Sequence, residues 1–314
     1  GDLRALEEIE LIAAGGTVET PAEPAMQAAS VESLGRMFAK ITEMEAKARV
    51  QDRIEKSTES TVYGVAQSAV RALGFVGGER SRTRIESILA DDRTDSDVQA
   101  ECVKQLDRIA DPASEQVLAK ALKNYDSDVY EPARRALEKI FPKDRARVEI
   151  HCALSGQSDL SEPAVEWLAN EGDPAAIVPR LPELEDDDLR KRLRWGLIRR
   201  GAIPAPELAK LLERKEPEIR TEAAAIIGTA VPARLKEKRP ITEAEKTALA
   251  AGLVPAERRA AETWAKTAPD DREPEESAWR MILWAASEIG SPQIAANARQ
   301  ILAGGDAGAP PSVR

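Results

Sequence analysis

The chain has 314 residues and a formal net charge of -10, and it is 42% hydrophobic and 32% charged. This balance excludes a disordered tail, and the absence of any window near the roughly 20 apolar residues of a membrane span excludes a bilayer-crossing protein. Only 4% of residues are aromatic, while Ala, Leu, Glu and Arg abound, which argues against a β-rich fold and predicts an all-α protein.

No basic-then-apolar signal stretch opens the sequence, and a soluble, cytoplasmic protein is expected. The first residue is Gly1 rather than Met, as in a processed or excised chain, which leaves open a signal or anchor removed upstream. Cys102 and Cys152 are the only cysteines, each in an apolar helical context, and predict buried thiols in a reducing compartment.

At the N-terminus, Leu3, Leu6, Ile9 and Ile12 predict a short amphipathic helix ended by Gly15-Gly16. Thr17 to Ala29, with Pro21 and Pro24, predicts a linker. Val31, Leu34, Phe38, Ile41, Met44 and Ala48 predict one longer helix whose heptad pattern fails at Glu45 and Asp52, so a capping helix is expected rather than a coiled coil. Residues 1–59 thus form an N-terminal section.

From Val62 onward a template of large, small, large, large residues at i, i+4, i+8 and i+11 recurs. It appears as Val62, Ala66, Val70, Leu73; Val98, Cys102, Leu106, Ile109; and Val129, Ala133, Leu137, Ile140. Leu160, Ala164, Leu168, then Leu189, Leu193, Leu197, then Ile219, Ala223, Ile227 continue it, with starts 36, 31, 31, 29 and 30 residues apart. That spacing is a two-helix repeat: each first helix carries one apolar stripe that a second helix must cover. The second helices are predicted at Ile85, Ile88 and Leu89; Val117, Leu118 and Leu122; Val148 and Leu154; Ile177, Val178 and Leu181; and Leu208, Leu211 and Leu212. Asp111-Pro112, Asp173-Pro174 and Ser291-Pro292 read as an N-cap followed by proline at the first helical position. Asp91-Asp92, Asp126 to Asp128 and Asp186 to Asp188 fall at the starts of following units, where negative charge favours the helix dipole.

The pattern running from Asp97-Val98 to Asp111-Pro112 resembles the short HEAT-like repeats of bilin lyase-type proteins and of many bacterial proteins. The resemblance covers about residues 60 to 303 and implies an α-solenoid, a superhelix of two-helix units, on which unrelated functions are placed. Departures from the 30-residue spacing after Ala256 keep helical periodicity, through Trp264, Ile282, Ala286, Ile289, Ile294, Ile301 and Leu302. The expected organisation is residues 1–59 as helices, linker and cap, 60–303 as the repeat solenoid, and 304–314, with Pro310-Pro311, as a flexible tail.

Catalytic patterns are scarce. His151 is the single histidine, so any Ser-His or Cys-His mechanism would have to use it, and its chain neighbour Cys152 cannot face it on a helix. A partly exposed, non-catalytic histidine is expected. Three His and Cys residues in all argue against zinc, and no His-Glu dipeptide exists of the kind that the hydroxylase branch of HEAT-like proteins uses to hold iron. Gly77-Gly78 and Gly304-Gly305 lack the flanking residues of a phosphate loop, and Glu183 to Asp188 lacks EF-hand spacing. No cofactor, no metal and no enzymatic activity are expected.

The unusual feature is Arg190-Lys191-Arg192-Leu193-Arg194-Trp195 followed by Arg199-Arg200. On a helix, Leu189, Leu193 and Leu197 face the core, Arg192, Trp195 and Arg199 share another face, and Arg190 lies beside Arg194. Arginine and tryptophan are common interface anchors, so Arg190, Arg192, Arg194, Trp195 and Arg199, with Trp167, are the candidate protein-binding residues. The competing reading has these arginines paired with acidic first turns of neighbouring repeats and covering Trp195 by cation–π contact. Of the five tryptophans, Trp264 aligns with a core position, while Trp167 and Trp195 lie off the stripe.

A non-catalytic interaction scaffold or adaptor is therefore expected, its partner another protein with an acidic segment. The resemblance alone implies a second role, a lyase- or chaperone-like subunit acting on a protein-bound cofactor. Nucleic-acid binding, as in HEAT-like alkylpurine glycosylases, is opposed by the net charge and a sequence pI near 5.0.

Overall fold

A computed structural model describes residues 3–17, 20–62, 64–293 and 296. The described residues form sixteen α-helices and short 3-10 segments, with no strand. The chain divides into two compact units, Gly1–Gln157 and Ser158–Arg314.

In the first unit the helices are α1 (Leu3–Ala13), α2 (Pro24–Met37), α3 (Met44–Ser57), α4 (Val65–Val76), α5 (Gly78–Ala90), α6 (Ser96–Ile109), α7 (Glu115–Ala121), α8 (Ser127–Ile140) and α9 (Arg145–Ala153). Alternate helices stack: α2 on α4, α4 on α6 and α6 on α8 form one layer, and α1 with α3 and α5 with α7 form the other. This is the two-helix repeat of an α-solenoid, each first helix burying one stripe against its neighbours. Cys102, Leu106, Val129, Ala133 and Leu137 are fully buried, as the template requires. Asp95, Asp111 and Asp126 cap their helices by accepting the backbone N–H two residues on.

The second unit holds α10 (Ser158–Asn170), α11 (Pro174–Ile177), α12 (Asp187–Arg199), α13 (Ala205–Leu212), α14 (Pro217–Lys236), α15 (Glu243–Lys266) and α16 (Glu273–Ile289). Here α10 stacks on α12, α12 on α14 and α14 on α16, while α13 packs on α15. Helix α11 continues only as a 3-10 segment, Val178–Glu183, because Pro179 and Pro182 remove backbone donors. Ile177, Val178 and Leu181 nonetheless fill the second-helix position and are buried.

The structure corrects several expectations. Helix α2 begins at Pro24, inside the expected linker, since proline suits a first helical turn. The single long helix from Val31 is broken at 41–43, so Met44 is exposed and Ala46, Val50 and Ile54 carry the stripe of α3 instead. Helix α4 starts only at Val65, after Gly64 in the left-handed region (φ 75°), and its stripe is Val65, Ala69, Ala72 and Leu73 rather than one beginning at Val62. Asp91 pairs with Arg93 in a loop, and Asp95, not Asp91 or Asp92, caps α6. Trp264 is half-buried and packs as a lid on Trp279, which is the core residue, with ring centroids 6.0 Å apart. Ile294, Ile301, Leu302 and the tail 304–314 lie outside the described residues, as does the side chain of Leu3.

Candidate protein-binding groove

Helix α12 is positioned by its cap and its stripe. The Asp186 carboxylate accepts from the N–H groups of Asp188 (2.8 Å) and Leu189 (3.0 Å), and Asp187 and Asp188 place negative charge at the positive end of the helix. Leu189, Leu193 and Leu197 are buried, which turns positions 192, 195 and 199 outward.

These three residues line one open groove of about 880 Å³ between α10 and α12. Lys191, Arg192, Trp195 and Arg199 form its α12 wall, and Glu162, Glu166 and Asn170 its α10 wall. The floor is low because Gly196 meets Ala169: a Cβ at position 196 would fall 2.4 Å from that of Ala169. Trp195 is 58% exposed. Sequence reasoning placed its face correctly and missed the opposite wall, although adding one repeat length of 29 residues carries position 163 onto 192.

The groove divides the basic cluster. Arg190 turns away to Asp187 and the Leu184 carbonyl and borders a smaller cavity with Glu218 and Glu222. Arg194 pairs with Glu222 of α14 at 2.8 Å, and Arg199 donates to Asn170 Oδ1 at 2.7 Å. Lys191 lies 3.4 Å from Asp188. Arg192 forms no ion pair among the described residues. The competing sequence reading holds in part for Arg194, whose partner Glu222 belongs to the neighbouring repeat, and fails for Arg190, which pairs within its own helix, and for Trp195, over which no described cation sits. Trp167 is half-buried, donates its indole N–H to Glu171 at 3.1 Å, and does not line the groove.

The His151 environment differs from its expected partial exposure. The ring is only 8% exposed, with Nε2 2.9 Å from Glu115 Oε1, because α9 packs it under α7. Arg147 donates to both oxygens of Glu115, at 2.6 and 2.5 Å, and holds this carboxyl below its ordinary value, with burial opposing and His151 assisting. Burial pushes the Cys152 thiol up to about 12 and the Cys102 thiol higher still. No group of three or more His, Cys, Asp or Glu side chains among the described residues is placed to hold a metal ion. No described helix is long and apolar enough to cross a membrane.

No family model and no curated protein matches the chain. Among solved structures, it is similar to human deoxyhypusine hydroxylase (TM-score 0.36, 17% identity, 90% of this chain and 99% of that one). It is also similar to the complex of CpcE and CpcF of phycocyanin lyase from Nostoc sp. PCC7120 (TM-score 0.35, 15% identity, 89% and 94%). A designed armadillo repeat protein aligns with TM-score 0.29 and 13% identity over 88% of this chain and 99% of that one.

Proposed function

We propose that this chain is a non-catalytic, HEAT-like repeat scaffold that binds another protein through the α10–α12 groove. The observation that carries this reading is Trp195, a large aromatic ring 58% exposed in a groove whose floor, Gly196 on Ala169, is fixed by helix packing. A rigid aromatic anchor on a fixed platform is what interface hot spots use. Exposed tryptophan costs solvation free energy that a partner recovers by covering it.

Particular side chains support the non-catalytic part of the reading. His151 is engaged with Glu115, and both thiols are buried with raised pKa, opposite to the depressed pKa of a nucleophilic cysteine. The acidic segment expected of the partner rested on four arginines, of which Arg190, Arg194 and Arg199 are already engaged within the chain.

Affinity capture from a lysate of the source organism tests the reading, comparing the parent with a variant carrying Arg192→Glu, Trp195→Ala and Arg199→Glu, both shown folded by circular dichroism. A protein retained by the parent and by Tyr125→Ala, which removes an exposed aromatic elsewhere, and lost by the triple variant supports the groove. The same proteins held by parent and triple variant would refute it.

A further inference from the structure

The chain treats its aromatic rings in a consistent way. All three phenylalanines carry a cation on the ring: Lys47 lies 5.7 Å from the centroid of Phe38, Arg36 and Arg108 lie 5.3 and 4.5 Å from that of Phe75, and Arg147 lies 4.2 Å from that of Phe141. Arg272 covers Trp264 at 4.5 Å. Trp195 is more exposed than any of these rings and stands in the most arginine-rich helix, yet its neighbours Arg190, Arg194 and Arg199 are drawn to Asp187, Glu222 and Asn170. Its electron-rich face is left to solvent.

The wall opposite decides the sign of what can cover it. Glu162 and Glu166 are exposed on α10, line the same groove, and form no ion pair among the described residues. Asp188 and Lys191 offset one another. The groove therefore sets two carboxylates without ion pairs on its α10 wall, beside an uncovered indole, against the guanidiniums of Arg192 and Arg199 on its α12 wall, the latter hydrogen-bonded to the neutral amide of Asn170. A cation gains from both the ring quadrupole and the carboxylates, whereas an anion near α10 is repelled. Arg192 and Arg199 make an unbroken basic run unfavourable and suit a peptide carbonyl or carboxylate further along, so that the favoured segment carries a single cation over the indole beside the α10 wall.

Resting on the protein-binding reading above, we infer that the groove takes an extended protein segment presenting a lysine or arginine side chain, its cation over Trp195 and paired with the Glu162 and Glu166 wall. Truncating Trp195 to alanine then weakens binding about tenfold or more, and raising salt from 50 to 300 mM weakens it further.

The test follows the Trp195 indole N–H resonance by nuclear magnetic resonance, assigned by its loss in Trp195→Phe. The full chain is titrated with acetyl-Gly-Arg-Gly-Arg-Gly-amide, with the citrulline peptide of the same shape and no charge, and with the glutamate peptide. The inference expects a saturable shift with the arginine peptide alone, abolished in Glu162→Gln/Glu166→Gln and kept in Arg192→Gln. Both variants alter exposed side chains, and circular dichroism verifies their folding. An equal shift with citrulline, or no shift with any peptide, overturns it. A shift with the glutamate peptide alone also overturns it while leaving the groove as a protein-binding site.

Discussion

Gly196 of α12 lies against Ala169 of α10 so closely that a Cβ at 196 would fall 2.4 Å from the Ala169 Cβ and 2.8 Å from its Cα and carbonyl oxygen. The obstacle is backbone, which cannot swing aside as a flexible side chain could. Gly196→Ala gains about 0.5–1 kcal/mol of helix propensity but forces α10 and α12 apart, an overpacking cost of about 1–3 kcal/mol. The expected net effect is destabilisation, read as a lower urea midpoint by circular dichroism at unchanged m-value. A midpoint equal to or above that of the parent would show that the helices are not held this close.

Arg220 is a second test of packing in the same unit. Its side chain is fully buried, donates to the carbonyls of Arg214 (3.0 Å) and Lys215 (2.6 Å) after α13, and pairs with Glu275 of α16. Removing the guanidinium leaves the Glu275 carboxylate and the Lys215 carbonyl without this donor, while the Arg214 carbonyl keeps Arg259 at 3.2 Å. Arg220→Met is therefore expected to cost about 3–5 kcal/mol, and Glu275→Gln less, because the amide oxygen still accepts. Thermal unfolding distinguishes the two; equal midpoints for parent and Arg220→Met would refute this role of Arg220.

How much of this was legible in the sequence depends on what each feature rests on. The repeat was readable because Cys102, Leu106, Ala133 and Leu197 each sit on a stripe that only helical stacking buries. Breaks were less readable. The interruption at 41–43 and the late start of α4 depend on turn geometry at single residues such as Gly64, where periodicity is silent. Trp195 was assigned to its outward face from spacing alone. Glu162 and Glu166 were not found, since their role exists only once α10 lies beside α12, and no local pattern marks them. The partition of the arginines likewise required Glu222 and Asn170, 28 and 29 residues away from Arg194 and Arg199.

Acid stability follows from Glu115. Its folded-state pKa is lowered, so the stability it contributes is present above the ordinary glutamate value and is lost as pH falls through the lower folded value. Parent and Glu115→Gln should differ by about 1.5–3 kcal/mol at pH 6–7, the range for hydrogen bonds to charged groups, and the difference should shrink progressively as pH falls below the ordinary glutamate value. Urea titrations at pH 3, 4, 5 and 7 measure this. A difference that stays constant with pH would mean that the charge of Glu115 does not act in the fold.

Cysteine labelling tests the first unit from another side. With Cys152 pushed up to about 12 and Cys102 above it, both buried, almost no thiolate exists at pH 8. Ellman's reagent is expected to react with neither in the folded protein and with both in 6 M guanidinium chloride. Rapid reaction of one thiol in native buffer would contradict the burial of its helix.

The groove itself is tested most directly by placing a photo-crosslinking phenylalanine at position 195 and, as a control, at Tyr125, which is 93% exposed in the first unit. Irradiation in a lysate of the source organism, followed by mass spectrometry, identifies what each position touches. The account predicts a discrete partner peptide crosslinked at 195, containing lysine or arginine near the attachment point, absent at 125 and suppressed by the arginine peptide. The same adducts at both positions, or none at 195 while a partner is still captured, would place binding elsewhere on the molecule.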